Sequence, residues 1–569
     1  MDVVVVPAGG GVALAQLDRD GLAGPASLLD WAALAARVRT LERHRPCWVW
    51  PDTDRVHPRL LGAGVVVRRA HDLRLCHAIV ARSRYLRPPV ADADTDAHPW
   101  GRREPPAPDT EPSLLDRPGG EGTVDLAEAV AELGRQRHAV ATSAHPERLR
   151  LLLAAESAGA LVATELTEVG LPFDERAHHQ RLVELLGARP PWGGRPAKLE
   201  ALAARIRTEL ATPHLNPDSP PELLRALHSR GLGVQTTRQW ELERLDHPVI
   251  PPLLEYKKLA RLLSANGWSW MSSWVHGGRF RPDYVPSGVV TGRWATRGGG
   301  ALSLPKQIRG AVAADPGCRL VVADAAQLEP RVLAAMARDQ AMARASRAGD
   351  LYQVLVDDGV VDTRDHAKVA MLGALYGATS GEAGQLMPRL LRTFPDATAL
   401  VEEAARTGER GGVVTTWLGR SSPAPPEPWF AQQRRASLPE ATAADQRRAR
   451  ASARDWGRFT RNFVVQGTAA EWALCWLADL RLRLSALGEV GGQRARLVYF
   501  LHDEVIVETP TDLVEAVADA VRQAARRAGE LLFGSFPVEF ALEVTCVDSY
   551  ADAGGPGPTS GDSRTAFSL

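Results

Sequence analysis

Between residues 495 and 509 the chain reads Ala495-Arg496-Leu497-Val498-Tyr499-Phe500-Leu501, then His502-Asp503-Glu504, then Val505-Ile506-Val507-Glu508-Thr509. Two apolar runs rich in β-branched and aromatic residues, separated by a short polar turn, form a hairpin. Strands this apolar imply a buried sheet. The usual tight turn is Asn-Gly or Asp-Gly, whereas this tip carries two adjacent acids. Carboxylates at the end of a buried sheet need a counter-charge, and a divalent cation shared with another acid would supply it. Taken alone, the segment also reads as an ordinary polar hairpin turn.

A second acid closes the apolar run Arg319-Leu320-Val321-Val322-Ala323-Asp324. The helical stretch Leu328-Glu329-Pro330-Arg331-Val332-Leu333 follows, with Pro330 tolerable in a first helical turn. A carboxylate at a strand end beside a helix start suits a hard cation near a phosphate. It suits a helix N-cap equally well. Between the two acidic segments lies Asp362-Thr363-Arg364-Asp365-His366-Ala367-Lys368-Val369-Ala370-Met371-Leu372-Gly373-Ala374-Leu375-Tyr376-Gly377. Asp362 or Thr363 can cap this helix, and Gly377 can end it. Arg364, Lys368, Leu372 and Tyr376 recur every fourth residue and share one face, a row roughly 18 Å long. The two cations occupy the half where the helix dipole also favours anions. Such a face could grip a triphosphate at one end and touch sugar and base at the other. On its own, the segment reads more simply as an amphipathic helix with Leu372 and Tyr376 in the core.

Composition sets the frame. The 569 residues suggest several lobes, and 45% hydrophobic with 24% charged residues is ordinary for a soluble globular protein. No apolar run reaches membrane-spanning length. Met1–Pro7 reads as a buried strand rather than a signal peptide. The five scattered cysteines form no CxxC pair, which argues for a reducing cytoplasm and against zinc or a disulfide framework. Net charge is zero, weak evidence against nucleic-acid binding. Only Lys198, Lys257, Lys258, Lys306 and Lys368 are lysines, so a lysine on the 364–376 face is not background. The arginine-dense run from Arg434 to Arg461 reads most simply as a solvated helix face.

Along the chain, residues 1 to about 85 alternate β-like runs (Val3–Val6, Trp48–Trp50, Val65–Val67) with helical stretches such as Leu28–Leu41, an α/β pattern. Pro88 to Thr123 is rich in Pro, Asp and Gly and predicts a mobile linker or loop. Helical signals dominate from Val124 to about Ala211 and include Pro221–Ser229 and Tyr256–Arg261 further on. Pro423–Pro428 is a second Pro-rich loop, and the tail after Ala551 predicts fraying.

The order acid, basic helix, acid pair resembles the family A DNA polymerases, of which bacterial DNA polymerase I is the type. Asp324-Ala325-Ala326-Gln327-Leu328-Glu329-Pro330-Arg331 stands for that family's DYSQIELR. Arg364, Lys368, Leu372, Gly373, Tyr376 and Gly377 take the places of its RxxxKxxxFGxxYG, and His502-Asp503-Glu504 matches its HDE. Thr291-Gly292-Arg293 resembles its TGR, and Arg458, Asn462 and Gln466-Gly467-Thr468-Ala469-Ala470 resemble its R…N…QGTAAD helix. The likeness covers roughly residues 155 to 550, and five motifs in order are specific.

The resemblance implies a mixed α/β right-hand polymerase. Its palm would be 286–338 and 456–569, its fingers 339–455, and its connecting helices and thumb 151–285. A degenerate ribonuclease H-like exonuclease lobe would occupy 1–150, with the Pro-rich loop near 88–123, and no 5′-nuclease domain is expected ahead of it. The implied activity is DNA-directed DNA polymerase, adding deoxynucleoside triphosphates to a primer 3′-hydroxyl by two-metal phosphoryl transfer in DNA repair or replication. Asp324 and Asp503 would bind two Mg²⁺ ions (Mn²⁺ able to replace them), with Glu504 assisting and Lys368 as general acid. Arg364, Lys368, Leu372, Tyr376, Glu329 and Gln327 would contact the nucleotide, Glu329 excluding ribonucleotides. Arg293, Arg458, Asn462, Gln466 and His502 would contact primer–template DNA. Minor-groove acceptors are nearly the same for every base pair, so such contacts test pairing without choosing sequence. A monomer in the cytoplasm, associated with the nucleoid and not with membrane, is expected.

Ala325-Ala326 replaces the family's Tyr-Ser, Pro330 its Leu, Leu372 the Phe or Tyr beside the sugar, and Met371 its Asn. The family's exonuclease needs a DxE on its first strand, and Val3–Val6 carries none, while Asp18-Arg19-Asp20 reads as a turn. That lobe is therefore expected to be inactive. Competing readings are a catalytically inactive polymerase-like DNA-binding protein and another metal-dependent nuclease or nucleotidyltransferase. Magnesium-dependent incorporation separates them from a polymerase.

Overall fold

A computed structural model describes residues 1–18, 21–86, 100, 124–191, 193–298, 300, 304–347, 349–377 and 388–553. The fold is mixed α/β and divides into two compact units. The first comprises Met1–Glu168, Tyr284–Ala295 and Val321–Thr545; the second comprises Val169–Asp283, Thr296–Leu320 and the segment from Cys546.

The first unit begins with five strands: β1 (Asp2–Ala8), β2 (Gly11–Leu17), β3 (Ser27–Leu29), β4 (Cys47–Trp50) and β5 (Ala70–Asp72). They order as β3-β2-β1-β4-β5, antiparallel from β3 to β1 and parallel from β1 to β5. Alternate residues of a strand point to opposite faces, and β1 feeds two cores. Val3 and Val5 pack with Leu34, Val38, Trp48 and Leu60, while Val4 and Val6 pack with Val49, Leu133 and Trp100. Around this sheet lie α1 (Trp31–Leu41), α2 (Thr53–Gly62), α3 (Leu73–Val80), α4 (Leu126–Thr142) and α5 (Pro146–Val169). Leu161 of α5 belongs to the first of these cores.

Three local expectations shift. Val65–Val67 forms no strand; its outer valines are buried, and pairing begins at Ala70. Leu28 and Leu29 extend β3, because Asp30 caps α1 only after them through Ala33 N–H. Trp100, from within the Pro-rich stretch, is buried in the second core, since one indole removes enough apolar area to offset the ordering of its residue. The rest of 88–123 and the tail from 554 lie outside the described residues.

The same unit holds a second sheet: β6 (Cys318–Ala325), β7 (Arg496–Leu501), β8 (Glu504–Pro510) and β9 (Leu542–Val547), ordered β7-β8-β6-β9. Helices α6 (Leu328–Ala337), α7 (Leu351–Asp357), α8 (Arg364–Tyr376), α9 (Ala443–Ala486) and α10 (Val514–Phe533) accompany it. Thr442 and Asp445 form a reciprocal capping box that starts α9, a helix of 44 residues. Its buried face from Phe463 to Leu484 supplies core, with Trp472 stacked on Phe540.

In the second unit, helices Glu175–Leu186, Ala197–Glu209, Pro220–Ser229, Ile250–Asn266 and Trp268–Trp274 join a small sheet of Leu171–Pro172, Arg279–Phe280 and Val275–His276. Its aromatic core sets Phe173, Trp270 and Phe280 against the buried His178. Among the described residues, no helix is long and apolar enough to cross a membrane.

Candidate active site

Strands β7 and β8 pair antiparallel from Arg496↔Glu508 to Leu501↔Glu504, with a bulge between Leu497 and Tyr499, leaving His502 and Asp503 as a two-residue tip. Asp503 N–H donates to Leu501 C=O at 2.6 Å across His502, whose φ is 55°. A non-glycine residue there is strained by about 1–3 kcal/mol, and such strain clusters at functional sites. The strands hold the tip in place: Val498–Leu501 and Val505–Val507 are buried. Trp294 packs edge-on to Phe500 at 4.9 Å, and Tyr284 OH meets Phe500 N–H at 3.3 Å.

Asp324 is the penultimate residue of β6, and the next amide, Ala325 N–H, donates to Asp503 C=O at 2.8 Å. The two acids, far apart in sequence, thus sit on hydrogen-bonded neighbouring segments at one end of the sheet. Both are partly exposed, and Glu504 is buried. Among the described residues, no group of three acid, His or Cys side chains could hold a metal alone. Two carboxylates suffice for Mg²⁺, which keeps waters and draws further oxygens from phosphates.

The expected DNA-contact residues fall into two sets, Arg293 and His502 beside the acids' own segments and three residues on α9. Arg293 forms an ion pair with Glu329, joining a residue assigned to DNA with one assigned to the sugar. Burial, and then the Arg293 charge, lower the His502 imidazole pKa to about 4, so the ring is neutral near pH 7. Among the described residues its buried Nδ1 has no hydrogen-bond partner, and neither does the buried Oδ1 of Asn462. Such orphans call for an explanation, and a bound ligand is one. Arg458, Asn462 and Gln466 share one face of α9 at four-residue spacing. Exposed Arg458 is paired with Asp455.

Helix α8 has the caps its sequence predicts: the Thr363 hydroxyl accepts from His366 N–H at 3.2 Å, and Gly377 ends it at φ 71°. Ala367, Ala370 and Met371 face the core, which accounts for the apolar Met371. Arg364 and Lys368 are exposed on the other side. The side chains of Leu372 and Tyr376 lie outside the described residues. Gly377 abuts α9, where an added Cβ would come 3.2 Å from Arg458 Cγ and 3.4 Å from Arg461 Nε.

Sequence reasoning passed over Asp350. Its carboxylate accepts from Gln327 Nε2 (2.6 Å) and Arg364 Nε (2.6 Å) and caps α7 through Tyr352 N–H (2.9 Å). Burial pushes its pKa up, but the hydrogen bonds from Arg364 and Gln327 outweigh burial and hold it below the ordinary value. Gln327, itself left-handed at φ 55°, also accepts from Leu351 N–H at 3.0 Å. Asp350 therefore ties the segment after Asp324 to the cationic helix. Arg331 was missed as well: fully buried, it donates to the carbonyls of Ala326, Ser346, Glu539 and Gly349. Only its place in the Asp324–Arg331 motif could have flagged it.

Residues 196–552 match the family described as DNA polymerase family A. The chain is 28% identical to the thermostable DNA polymerase I of Thermus filiformis over 342 residues, 55% of this chain and 37% of that protein. It is 27% identical to DNA polymerase I of Chloroflexus aurantiacus over 396 residues, 63% and 39% of the two. With DNA polymerase I of Geobacillus stearothermophilus it shares 26% over 423 residues, 67% and 44%. The chain spans less than half the length of these curated relatives. Among solved structures it resembles the POL domain of Pol1 from M. smegmatis, in complex with DNA primer-template and dNTP. That TM-score is 0.66 at 18% identity, covering 97% of this chain and 95% of the other, a likeness of fold. With a family match over more than half its length, the chain belongs to DNA polymerase family A.

Proposed function

We propose that this chain is a template-directed DNA polymerase that extends a primer 3′-hydroxyl with deoxynucleoside triphosphates, in DNA repair or replication. The observation that carries this reading is the main-chain bond between Ala325 and Asp503, which brings Asp324 and Asp503 to one end of a buried sheet. Their all-oxygen donor set fits divalent cations, and these residues would hold two Mg²⁺ ions, or Mn²⁺ in their place. When bound, such ions activate the primer hydroxyl and stabilise the leaving pyrophosphate.

The protein's own groups do the positioning that phosphoryl transfer demands. Arg364 and Lys368 grip the triphosphate, and Lys368 supplies a proton to the departing pyrophosphate. Engaging Arg364 requires its release from Asp350. Both side chains of that pair are more than a third exposed, so the release costs about 0–1 kcal/mol. Glu329, braced by Arg293, borders the sugar and excludes ribonucleotides, while Gln327, Leu372 and Tyr376 complete the nucleotide pocket and Glu504 supports the metal pair. His502, Arg458, Asn462, Gln466 and Arg293 line the primer–template; the orphan His502 Nδ1 and Asn462 Oδ1 support that placement. In this reading 286–338 and 456–569 act as palm, 339–455 as fingers and 151–285 as connecting helices and thumb.

We assign 1–150 as an exonuclease relic. The only acid of β1 is Asp2, paired with Arg137, and Asp18 closes a turn onto Leu22 N–H. The protein is proposed to work as a cytoplasmic, nucleoid-associated monomer.

A labelled primer–template incubated with Mg²⁺ and deoxynucleotides tests the activity, comparing wild type with Asp324→Ala and Asp503→Ala. Extension by wild type alone is expected. No extension by any of them would leave a DNA-binding protein without chemistry.

A further inference from the structure

Helix α5 belongs to the N-terminal part of the chain, yet its buried face touches the segment that presents Arg293. Glu156, fully buried on α5, pairs with Arg420, which is itself buried. Arg420 Nη1 donates to Ser287 Oγ at 2.9 Å, and its guanidinium fills the space beside Gly292. A Cβ on Gly292 would meet Arg420 Nε at 2.6 Å, and φ there is 87°, so only glycine fits. One turn along α5, Gly159 lies against Leu474 and Trp294; an added Cβ would come within 2.5 Å of Leu474 Cδ2 and 3.5 Å of Trp294 Cζ2. Arg293 stands between Gly292 and Trp294: Trp294 lies against α5 at Gly159, and Gly292 lies against Arg420, which α5 holds through Glu156.

Arg420 cannot drift. Its loop is bound to α9 through Trp417 N–H on Thr468 Oγ1 (3.0 Å) and Leu418 N–H on Glu471 Oε2 (2.9 Å), and Thr416 bonds the same carboxylate. From the other side, Ser83 Oγ donates to Gly419 C=O (2.7 Å), Arg84 N–H to Ser421 Oγ (3.0 Å), and Arg148 stacks on Trp417 at 3.8 Å.

We infer that Glu156 is a positioning residue for the polymerase site: through Arg420 and Gly292 it sets where Arg293 pairs with Glu329. Helix α5, which runs from the end of the N-terminal lobe into the connecting helices, is on this inference an integral brace of primer–template binding. The inference rests on the proposed polymerase reading.

A double-mutant cycle tests it. Glu156→Gln keeps shape and removes charge; Arg293→Ala removes the end of the chain of contacts. Primer–template affinity and kcat/KM for extension of matched and mismatched termini are measured for wild type, both single variants and the double, beside their Tm values. Glu156→Gln is expected to weaken matched-primer affinity and kcat/KM about five- to tenfold and to add almost nothing in the Arg293→Ala background. Full multiplication of the two effects, or a loss that follows Tm alone, overturns the inference. Should Glu156→Gln not fold, Ser287→Ala, which removes one hydrogen bond to Arg420, takes its place in the cycle. Absence of extension by wild type would overturn the polymerase reading instead, a separate result.

Discussion

The two sheets of the first unit both end in carboxylates, and the two sets sit in contrasting surroundings. At the end of the N-terminal sheet, Asp72 is fully buried and accepts from Thr53 N–H (2.8 Å), Thr53 Oγ1 (2.7 Å) and Leu75 N–H (2.9 Å). Asp52 caps α2 and pairs with Arg74 at 2.7 Å. Burial, followed by the nearby Asp52, raises Asp72 to about 6, and no catalytic cation is needed to explain either acid. At the end of the second sheet, Asp324 and Asp503 are partly exposed, flanked by the left-handed Gln327 and His502 and by a buried orphan nitrogen. What separates a structural acid from a candidate catalytic one is how exposed it is and whether the backbone around it is relaxed.

The sharpest break in this comparison comes from exchanging roles. Asp503→Ala is expected to cost extension on the order of a thousandfold with little change in Tm, read by single-turnover kinetics and thermal melting. Asp72→Ala is expected to do the reverse: three donors are stranded, about 2–4 kcal/mol of stability is lost in denaturant titration, and kcat stays near wild type. If Asp72→Ala abolished extension while leaving stability intact, the two sheets would not differ as described.

A smaller effect concerns Asp350. Asp350→Asn weakens its ion pair with Arg364 while retaining a cap for α7, so KM for deoxynucleotides should shift by about threefold or less. A tenfold change would mean that Asp350 itself meets the nucleotide. Smallest is a pH effect at Glu471, whose pKa burial raises to about 7 from 4.5 despite the opposing bond from Thr416. The folded chain holds that proton between about pH 4.5 and 7, and the unfolded chain does not, so stability falls as pH rises through the window. Tm of Glu471→Gln relative to wild type should therefore rise from pH 5 to pH 8; a flat difference would show that Glu471 ionises normally.

The sequence made legible what lies within short spans. The Asp324 strand end, the Thr363 and Gly377 caps of α8 and the hairpin around Asp503 follow from local pattern and turn chemistry, but Glu504, expected at the tip, is buried as the first residue of β8, paired with Leu501. Asp350 was not legible, because one acid 14 residues before Arg364 has no periodicity to announce it. The Glu156–Arg420 pair spans 264 positions, a separation that only the assembled fold closes. The arginine-dense run divides on inspection: Arg447, Arg450 and Arg454 are exposed as expected of a solvated face, while Arg461 is buried against Glu402. Composition could not separate them.

The most direct test of the contrast uses one wild-type preparation and one primer–template labelled at its 5′ end, with Mg²⁺, in the presence and absence of deoxynucleotides. The account predicts extension when nucleotides are present and a primer of unchanged length when they are absent. Shortening without nucleotides, removed by substitution of Asp72 or Asp52, would show that the N-terminal carboxylates catalyse hydrolysis and would contradict it.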